Sequence, residues 1–320
     1  MSKPAHTFRA SLIYNPLAGS VKDPHILPAI LHPFQNMDWE MQVHTISVFA
    51  DIGRLAAAAR QAGQDAVIVV GGDGSLNAAV NALANSNVAL GVIPAGTGNV
   101  WARQIGLPVP SIFHPNALVE AARMMAGGHT FTIDLGIASG RYFLLWAGAG
   151  LDAHVVAAIE PKPVFVRRFG PIGYGLFVIW SALRYHGLPM SVEIDGKTFE
   201  GRYVLAIASN ARLYARMRLA PQACLDDGML DVFLFSGRGV VDLLFHAIYL
   251  LTGKVSHDPR TIIVPGRKIH LRSAQVCPIH IDAEPFTHAP VDIEVVPGAL
   301  RVILPTTMPA SLVKIGTQVN

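Results

Sequence analysis

The chain has 320 residues, of which 51% are hydrophobic and 15% charged, and its net charge at neutral pH is +3. This length allows two domains with separate cores, and the composition excludes a disordered protein. No uninterrupted apolar run of about 18 residues predicts a transmembrane helix, and the amino terminus lacks the apolar core of a secretory signal. The two cysteines, Cys224 and Cys277, suit a reducing compartment, so the protein is expected to be cytoplasmic.

The charge is unevenly divided between the two halves. Residues 1–134 hold 7 Lys/Arg and 8 Asp/Glu, whereas residues 135–320 hold 18 and 14. A basic second half favours an anionic membrane surface, although ordinary surface charge explains it equally well. Since the chain has no dense basic stripe and no recognised nucleic-acid motif, nucleic acid is not an expected partner.

The first part of the chain alternates between strand and helix patterns. Strands are predicted at 8–14, 41–46, 67–70 and 88–93, and helices at 25–34, 51–62, 75–83, 100–105 and 116–126. In the helix at 51–62, the inward face is expected to carry Leu55, Ala58, Ala59 and Ala62. Such alternation predicts a parallel sheet with helices on both faces.

Residues 67–77 read VIVVGGDGSLN, an apolar strand followed by a glycine-rich turn and a helix for which Ser75 is the expected cap. Backbone N–H groups and the helix dipole converge there, which is typical of a phosphate site. Asp73 would repel phosphate unless a divalent cation bridges the two. The alternative is that Asp73 caps the helix that follows it.

Two further loops follow predicted strands: 15–20, which contains Asn, Pro and Gly, and 94–99, which reads PAGTGN. Neighbouring βαβ units place such loops on one rim of a parallel sheet, where ligands bind. We therefore expect all three loops to line one crevice, with the Thr97 and Asn99 side chains orienting phosphates. Taken alone, the loop at Asn15 is equally a plain turn.

From residue 130 onward, short strand patterns dominate, and Asp195-Gly196 predicts a hairpin. The pattern predicts a mainly antiparallel, β-sandwich-like second domain, interrupted by helices at 172–185 and 240–251. The helix at 240–251 is expected to lie in the core. The predicted strands are 131–136, 142–147, 190–194, 203–209, 230–235, 260–264, 269–272, 279–282, 291–296 and 300–304. The predicted domains are 1–130 and 131–305, with a tail, 306–320, that packs back on the first.

In order, Asn15-Pro16…Gly19, Gly71-Gly72-Asp73-Gly74-Ser75, residues 94–99 and the DDGMLD segment at 226–231 resemble the diacylglycerol kinase catalytic-domain family. The resemblance is to its bacterial lipid kinases, relatives of sphingosine kinases, and runs from residue 9 to 304. It implies binding of ATP as co-substrate. The residues that it implicates in ATP binding are Asn15, Thr45, Gly71, Gly72, Asp73, Gly74, Ser75, Leu76, Asn77 and Thr97.

The resemblance also implies two further sets of site residues. Glu284 takes the position of the family's general base, and Asp73 is the second catalytic residue, holding Mg²⁺ or orienting the acceptor hydroxyl. Asp227, with the carbonyls of Cys224 and Met229, would hold a structural Mg²⁺. Without the resemblance, Glu284 is an ordinary turn acid and Asp227 a turn residue. Ala283 replaces the family's usual glycine, which strains the turn by roughly 1 kcal/mol if φ is positive there.

The sequence therefore predicts an ATP- and Mg²⁺-dependent lipid kinase that transfers the γ-phosphate to a hydroxyl of a diacylglycerol-like or related lipid. Peripheral contact with a membrane is expected. Candidates for headgroup contact are Arg167-Arg168-Phe169, Arg212, Arg216 and Arg218, although ordinary solvated loops are the default interpretation of these residues. The sequence is compatible with a homodimer but does not decide the oligomeric state. The alternatives are a soluble-substrate kinase of the NAD kinase or phosphofructokinase type and a catalytically silent lipid-binding protein.

Overall fold

A computed structural model describes residues 7–16, 18–19, 21, 25–159, 177, 180–214, 217–314 and 318–319. The chain divides into two compact units: residues 1–135, 224–227 and 297–320 form the first, and residues 136–223 and 228–296 form the second. The second unit thus ends at residue 296, nine residues before the predicted domain end. The segment at 224–227, predicted in the second domain, belongs to the first unit.

The strands of the first unit, two of which extend into the second unit or begin there, are β1 (Arg9–Tyr14), β2 (Glu40–Thr45), β3 (Ala66–Gly71), β4 (Ala89–Pro94), β5 (His129–Ala138), β17 (Val291–Leu304) and β18 (Gln318–Val319). The first four form a parallel sheet in the order β2-β1-β3-β4, and residues 301–302 of β17 add to β4 in parallel. The short strand β18 pairs antiparallel with β5.

Helices α1 (Ile26–Gln35) and α5 (Ala117–Ala126) pack together, as do α2 (Asp51–Gln61) and α3 (Asp73–Leu83). The short helix α4 (Val100–Gln104) follows β4. Every residue of β3 and β4 is buried, as expected for strands covered on both faces. The predicted fold class of this half is confirmed.

Two local predictions in the first half are wrong. The inward face of α2 consists of Ile52, Ala56 and Ala59, whereas Ala58 and Ala62 are exposed. Alanines are similar on every side of this helix, so the larger Ile52 decides which side is buried. In α3, the cap is Gly72 and not Ser75, which lies inside the helix and is buried.

The remaining strands lie in the second unit and are β6 (Arg141–Phe143), β7 (Trp146–Gly150), β8 (Leu188–Ile194), β9 (Lys197–Ser209), β10 (Leu213–Tyr214), β11 (Met217–Arg218), β12 (Leu230–Ser236), β13 (Thr261–Gly266), β14 (Lys268–Ser273), β15 (Pro278–Ile281) and β16 (Glu284–His288). This unit contains an antiparallel sheet in the order β16-β15-β7-β9-β8-β14-β17, and β12 pairs with both β9 and β13. The predicted β-sandwich-like class is confirmed.

The hairpin predicted at Asp195-Gly196 joins β8 to β9, and both turn residues have positive φ, at 47° and 85°. The strand predicted at 142–147 is instead two strands, β6 and β7. The two strands predicted at 291–296 and 300–304 are one continuous strand. Within it, Gly298 adopts φ 61° and donates its N–H to Asp134 Oδ1 at 2.8 Å.

Helix α6 (Leu151–Ile159) was not predicted, and α7 (Val240–Leu251) lies where a helix was predicted. The expectation that α7 is a core helix is wrong, because His246 is its only buried residue. Of the helix predicted at 172–185, residues 180–184 are helical, whereas 172–176 and 178–179 lie outside the described residues. The expected headgroup contacts Arg167-Arg168-Phe169 and Arg216 lie outside them too.

Candidate functional site

Four parallel strands of the first unit end at the same rim of the sheet, and each of these ends carries a predicted nucleotide residue. Asn15 follows β1, Thr45 ends β2 and Gly71 ends β3, while Thr97 lies three residues beyond β4. The Asn15 N–H donates to the carbonyl of Val70 at 3.2 Å. The structure therefore brings these segments to the edge at which open α/β sheets bind their ligands.

The glycine-rich loops lie in direct contact. A Cβ atom on Gly96 would lie 2.4 Å from the Cα of Gly72, so that only glycine allows the two loops to meet. A Cβ atom on Gly19 would lie 3.4 Å from Thr97 Oγ1, which places the loop after β1 beside the same point. The expected convergence of three loops on one rim is thus present within the first unit.

Asp73 links the two glycine-rich loops. Its carboxylate accepts hydrogen bonds from the backbone N–H groups of Val100 and Trp101, both at 3.1 Å, so it caps the N-terminus of α4. A Cβ on Gly98 would lie 2.9 Å from Asp73 Oδ2, so a side chain at this position would crowd the carboxylate. Burial raises the pKa of Asp73 above its usual value of 3.8, and the backbone hydrogen bonds oppose that rise.

Asn99 does not have the expected phosphate-orienting geometry. Its side chain accepts from the Gly96 N–H at 2.9 Å and donates to the Gly96 carbonyl at 2.7 Å, and it adopts φ 50° as the first turn of α4 begins. The amide therefore shapes the loop. Thr97, by contrast, is exposed at the rim.

Five of the predicted nucleotide residues, at positions 73–77, lie inside α3, and the last three of them are buried. Ser75, Leu76 and Asn77 are 4%, 2% and 1% exposed, and the Leu76 N–H donates to the Gly72 carbonyl at 3.1 Å. Ser75 packs closely on Gly71, whose added Cβ would lie 2.7 Å from the serine Oγ. The N–H groups of Asp73, Gly74 and Ser75 occupy the first turn, where a helix has no internal acceptors for them. These groups suit a phosphate better than the side chains of residues 76 and 77 do.

In the second unit, Glu284 begins β16, immediately after a two-residue turn. Asp282 and Ala283 both have positive φ, at 48° and 65°, so alanine occupies a left-handed position that favours glycine. The Glu284 side chain is 33% exposed and forms an ion pair with Arg141. Arg141 also lies over the ring of Phe286, with its Cζ 5.7 Å from the centroid. Arg141 therefore fixes the orientation of the predicted base.

The sequence reasoning missed Asp282, which holds this turn in place. Its buried carboxylate accepts from the N–H groups of Leu144 at 2.9 Å, Leu145 at 2.9 Å and Trp146 at 3.0 Å. These bonds explain why the predicted strand at 142–147 is interrupted. In the sequence, the place of Asp282 in the Asp-x-Glu turn was the feature that could have identified it. No sequence pattern identifies Arg141, because its partner Glu284 lies 143 residues away in the sequence.

A second polar cluster of this unit also had no sequence signal. Asp152 Oδ2 lies 2.7 Å from His280 Nε2 and accepts from the Tyr214 hydroxyl at 2.5 Å. The His280 side chain is only 2% exposed. A Cβ atom on Gly148 would lie 2.3 Å from His280 Nε2, so this glycine makes room for the cluster.

The predicted metal segment divides between the units, with Cys224 and Asp227 in the first and Met229 in the second. The Asp226 carboxylate accepts from the Lys314 N–H at 2.8 Å and from the Cys224 thiol at 3.0 Å. Burial and that hydrogen bond raise the pKa of Cys224 to about 11, so the sulfur is a neutral thiol. The half-buried Asp227 carboxylate is a hard oxygen donor, and this chemistry fits Mg²⁺.

No cluster of three His, Cys, Asp or Glu side chains suited to a metal ion occurs in the described part of the chain. A site made of one carboxylate and backbone carbonyls would contain no such cluster. Asp73 fits a cation for a different reason: its carboxylate is a hard oxygen donor, and the backbone N–H groups of Val100 and Trp101 already hold both of its oxygens in place.

Two cavities differ in chemistry. A cavity of about 760 Å³ lies at the amino ends of β1, β3 and β4, among Phe8, Arg60, Asp65 and Asn87, on the rim opposite the glycine-rich loops. The second unit has an apolar cavity of about 360 Å³ beneath α7. Its lining includes Leu205, Ile207, Phe235, Leu243, Ala247 and Leu250. We assign the nucleotide to neither cavity, because neither contains the glycine-rich loops.

Known domain families match both halves of the chain. Residues 9–138 match the diacylglycerol kinase catalytic domain, and residues 146–304 match the YegS C-terminal NAD kinase beta sandwich-like domain. A diacylglycerol kinase of Bacillus subtilis (strain 168) is 28% identical over 279 residues, which are 86% of this chain and 89% of that protein. A diacylglycerol kinase of Staphylococcus carnosus (strain TM300) is 26% identical over 280 residues, 86% of this chain and 88% of the relative.

Solved structures show the same fold over nearly the whole length. A crystal structure of a protein from Bacillus anthracis str. Sterne covers 95% of this chain and 100% of its own, with a TM-score of 0.77 and 25% identity. A diacylglycerol kinase from the same strain has a TM-score of 0.71 and 21% identity over the same shares of the two chains. With both halves matched by domain models that account for residues 9–138 and 146–304, the chain belongs to the diacylglycerol kinase catalytic-domain family.

Proposed function

We propose that this protein is an ATP-dependent lipid kinase that transfers the γ-phosphate to a hydroxyl of a diacylglycerol-like lipid. The observation that carries the proposal is the meeting of three loops around Asp73 at one rim, in a chain of this family. Because Gly72 and Gly96 have no side chains, they leave space for phosphate oxygens, and the first turn of α3 supplies N–H donors. Asn15, Thr45 and Thr97 would contact the rest of the nucleotide.

In the proposed reaction, the lipid hydroxyl oxygen attacks the γ-phosphorus. A new phosphorus–oxygen bond forms, the bond to the β–γ bridging oxygen breaks, and ADP leaves. Glu284 accepts the hydroxyl proton. Its ion pair with Arg141 and the turn held by Asp282 keep the carboxylate in one orientation, so that less ordering is needed when the acceptor binds.

Asp73 would hold Mg²⁺ at the phosphates, and the ion would neutralise the charge that develops on the transferred group. Asp227 would hold a second, structural Mg²⁺ with the carbonyls of Cys224 and Met229. The carboxylates are hard donors, and the Cys224 thiol stays protonated near neutral pH. The metal dependence is therefore part of the proposal.

A lipid acceptor is favoured over a soluble one by the apolar cavity beneath α7, since a sugar phosphate or NAD has no apolar chain to fill 360 Å³ of apolar space. The names of the B. subtilis and S. carnosus relatives point to the same class of acceptor. We further propose that the enzyme works in the cytoplasm with transient membrane contact. The free thiols of Cys224 and Cys277 are consistent with a reducing compartment.

Radiolabelled γ-phosphate transfer to a lipid panel, with product mass spectrometry, tests the proposal. Wild type should label a diacylglycerol or related lipid, and Glu284→Gln should lower kcat by about 10²–10⁴-fold, the usual contribution of a general base. The control Glu294→Gln changes an exposed glutamate in the same unit and should retain full activity. Labelling of NAD or a sugar phosphate with no lipid product, or full activity of Glu284→Gln, contradicts the proposal.

A further inference from the structure

Helix α7 exposes an apolar stripe. Val241, Leu244, Ile248 and Leu251 are 72%, 61%, 62% and 74% exposed, and their spacing of three, four and three residues places them on one side of the helix. Large aliphatic side chains in such a row are uncommon on a solvent-facing helix. The opposite side of α7 is held down by the buried His246, which lies 2.5 Å from Asp258 Oδ2 through Nδ1 and 2.8 Å from the Ser236 carbonyl through Nε2.

The charges around this stripe are mostly positive. Arg238 precedes the helix and Lys254 follows it, and both are exposed. Arg218 is exposed on β11, which packs against the helix. The single acidic residue within α7, Asp242, pairs with Arg260 at 2.7 Å. Basic residues at both ends of an apolar stripe are complementary to a surface that is anionic outside and apolar below.

The length of α7 fits a helix that lies on a bilayer. Twelve residues span roughly 18 Å, well short of the about 30 Å hydrocarbon core. Among the helices in the described ranges, none is long and apolar enough to cross a membrane. The inner side of α7 lines the apolar cavity through Leu243, Ala247 and Leu250. A helix in the interface would therefore place that cavity next to the lipid.

We propose that the outward face of α7 docks this protein on an anionic lipid surface. The exposed stripe enters the boundary between headgroups and acyl chains, and Arg218, Arg238 and Lys254 contact anionic headgroups. This inference rests on the proposed lipid kinase function and names the element that would contact the membrane. Its test does not require catalysis. A second copy of this chain is the competing occupant of the stripe, and the experiment distinguishes the two.

The test measures partition of the full chain onto sucrose-loaded vesicles of phosphatidylcholine with and without phosphatidylglycerol. Combining Val241→Ser, Ile248→Ser and Leu251→Ser should lower partition onto the anionic vesicles by roughly a hundredfold, since three aliphatic side chains no longer leave water. These three residues do not line the cavity. The single variant Lys254→Gln should lower partition onto anionic vesicles about fivefold and leave the weak binding to neutral vesicles unchanged.

The control is Val276→Ser, which removes another exposed aliphatic side chain, 78% exposed, from the same unit outside α7. It should partition as wild type does. Circular dichroism shows whether the triple variant keeps its fold, which is expected because the changed side chains are exposed. Unchanged vesicle partition of a folded triple variant overturns the proposal.

Sedimentation equilibrium without lipid supplies the second readout. A dimer that the triple variant converts to monomer, with vesicle binding unaltered, assigns the stripe to self-association and also overturns membrane docking. Kinase activity on a dissolved short-chain diacylglycerol separates this inference from the proposed function. If wild type phosphorylates no lipid, the proposed function fails, while the vesicle partition still decides the docking.

Discussion

At the scale of single residues, Asp73 caps a helix, although not the one directly after it that the sequence suggested. Its carboxylate caps α4 through the N–H groups of Val100 and Trp101, and it also lies where the glycine-rich loops meet. A helix cap and a cation ligand are compatible, because each oxygen accepts more than one contact. The cap keeps the carboxylate oriented before any ligand binds.

Asp73→Asn should therefore impair both activity and stability. Loss of the charge should lower phosphoryl transfer by roughly 10²-fold or more, a usual size for one lost charge-stabilising contact. The amide NH₂ would face one of the two backbone N–H groups, which should lower the free energy of unfolding by about 1 kcal/mol. Transfer assays and urea denaturation measure the two effects. Asp38→Asn, an exposed aspartate in the same unit, should show neither.

Arg141 is the positioning residue for Glu284. Arg141→Met leaves the carboxylate without its ion pair, and kcat is expected to fall about tenfold or more. KM for ATP should be unchanged, since the proposed nucleotide residues lie in the other unit. Arg141→Lys should restore part of the activity. The matched control is Lys268→Met, which removes the partner of Glu294, 3.8 Å away at the surface. An equal loss in both Met variants would contradict a specific role for Arg141.

Ala283 stores strain in the turn before Glu284. Because its φ is 65°, Ala283→Gly should raise the free energy of unfolding by about 0.5–1 kcal/mol. Ala274→Gly, in an exposed segment where φ is not positive, should instead lower it slightly. Chemical denaturation of the two variants and wild type measures the difference. A lower stability for Ala283→Gly would show that the turn does not hold the geometry described.

At the scale of elements, α7 is held to the second unit by the buried pair of His246 and Asp258. Burial by itself would raise the pKa of Asp258, but hydrogen bonds from His246, Thr261 and the Arg260 N–H outweigh it and hold that pKa below 3.8. An aspartate with a lowered pKa stabilises the fold above the unfolded-state pKa, and this contribution is lost as pH falls through the folded-state value.

The stability of wild type should consequently fall as pH drops below 3.8, and Asp258→Asn should show a weaker dependence in that range. Near neutral pH, the variant should be less stable by about 1–3 kcal/mol, since a buried hydrogen-bonded charge is replaced. Thermal unfolding across pH measures both. Asp292→Asn changes the exposed pair with His270, 2.6 Å apart, and should leave the acid limb of the profile nearly unchanged. Parallel pH profiles for wild type and Asp258→Asn would refute the role of this pair.

At the scale of the whole molecule, segments distant in sequence complete the first unit. Residues 224–227 join residues 1–135 and 297–320: the Leu225 N–H donates to the Leu312 carbonyl at 2.9 Å, and its carbonyl accepts from Asp134 at 2.7 Å. A metal held by Asp227 would tie this segment down. Removal of the metal should therefore lower the stability of the chain as well as its activity.

EDTA should lower the unfolding midpoint of wild type by about 2–4 °C, as expected for roughly 1 kcal/mol in a chain of this size. Asp227→Asn should have the lower midpoint from the start and respond little to EDTA. Cys224→Ser should respond as wild type does, because the proposed ligand is the carbonyl and the thiol is protonated. Differential scanning calorimetry provides the measurement. If EDTA lowers the midpoint of Asp227→Asn by as much as that of wild type, this carboxylate is not the ligand.

The sequence alone was sufficient to predict the strand–helix alternation, the glycine-rich loops on one rim and the fold class of both halves. These features are set by local periodicity and by residues, such as Gly72 and Gly96, whose type restricts the backbone. The same reasoning misjudged α2, where alanines left the buried side undecided, and α7, whose apolar residues suggested a core helix although four of them are exposed.

Only the tertiary structure decided which side chains act together. Asp73 caps a helix that begins 27 residues later, Asp282 binds backbone groups 136–138 residues earlier, and Arg141 reaches Glu284 across 143 residues. The physical reason is that periodicity records which face of an element is apolar, whereas polar contacts depend on which elements the folded chain brings together. The sequence determined the elements and the family of this protein, and packing determined the partners of its polar groups.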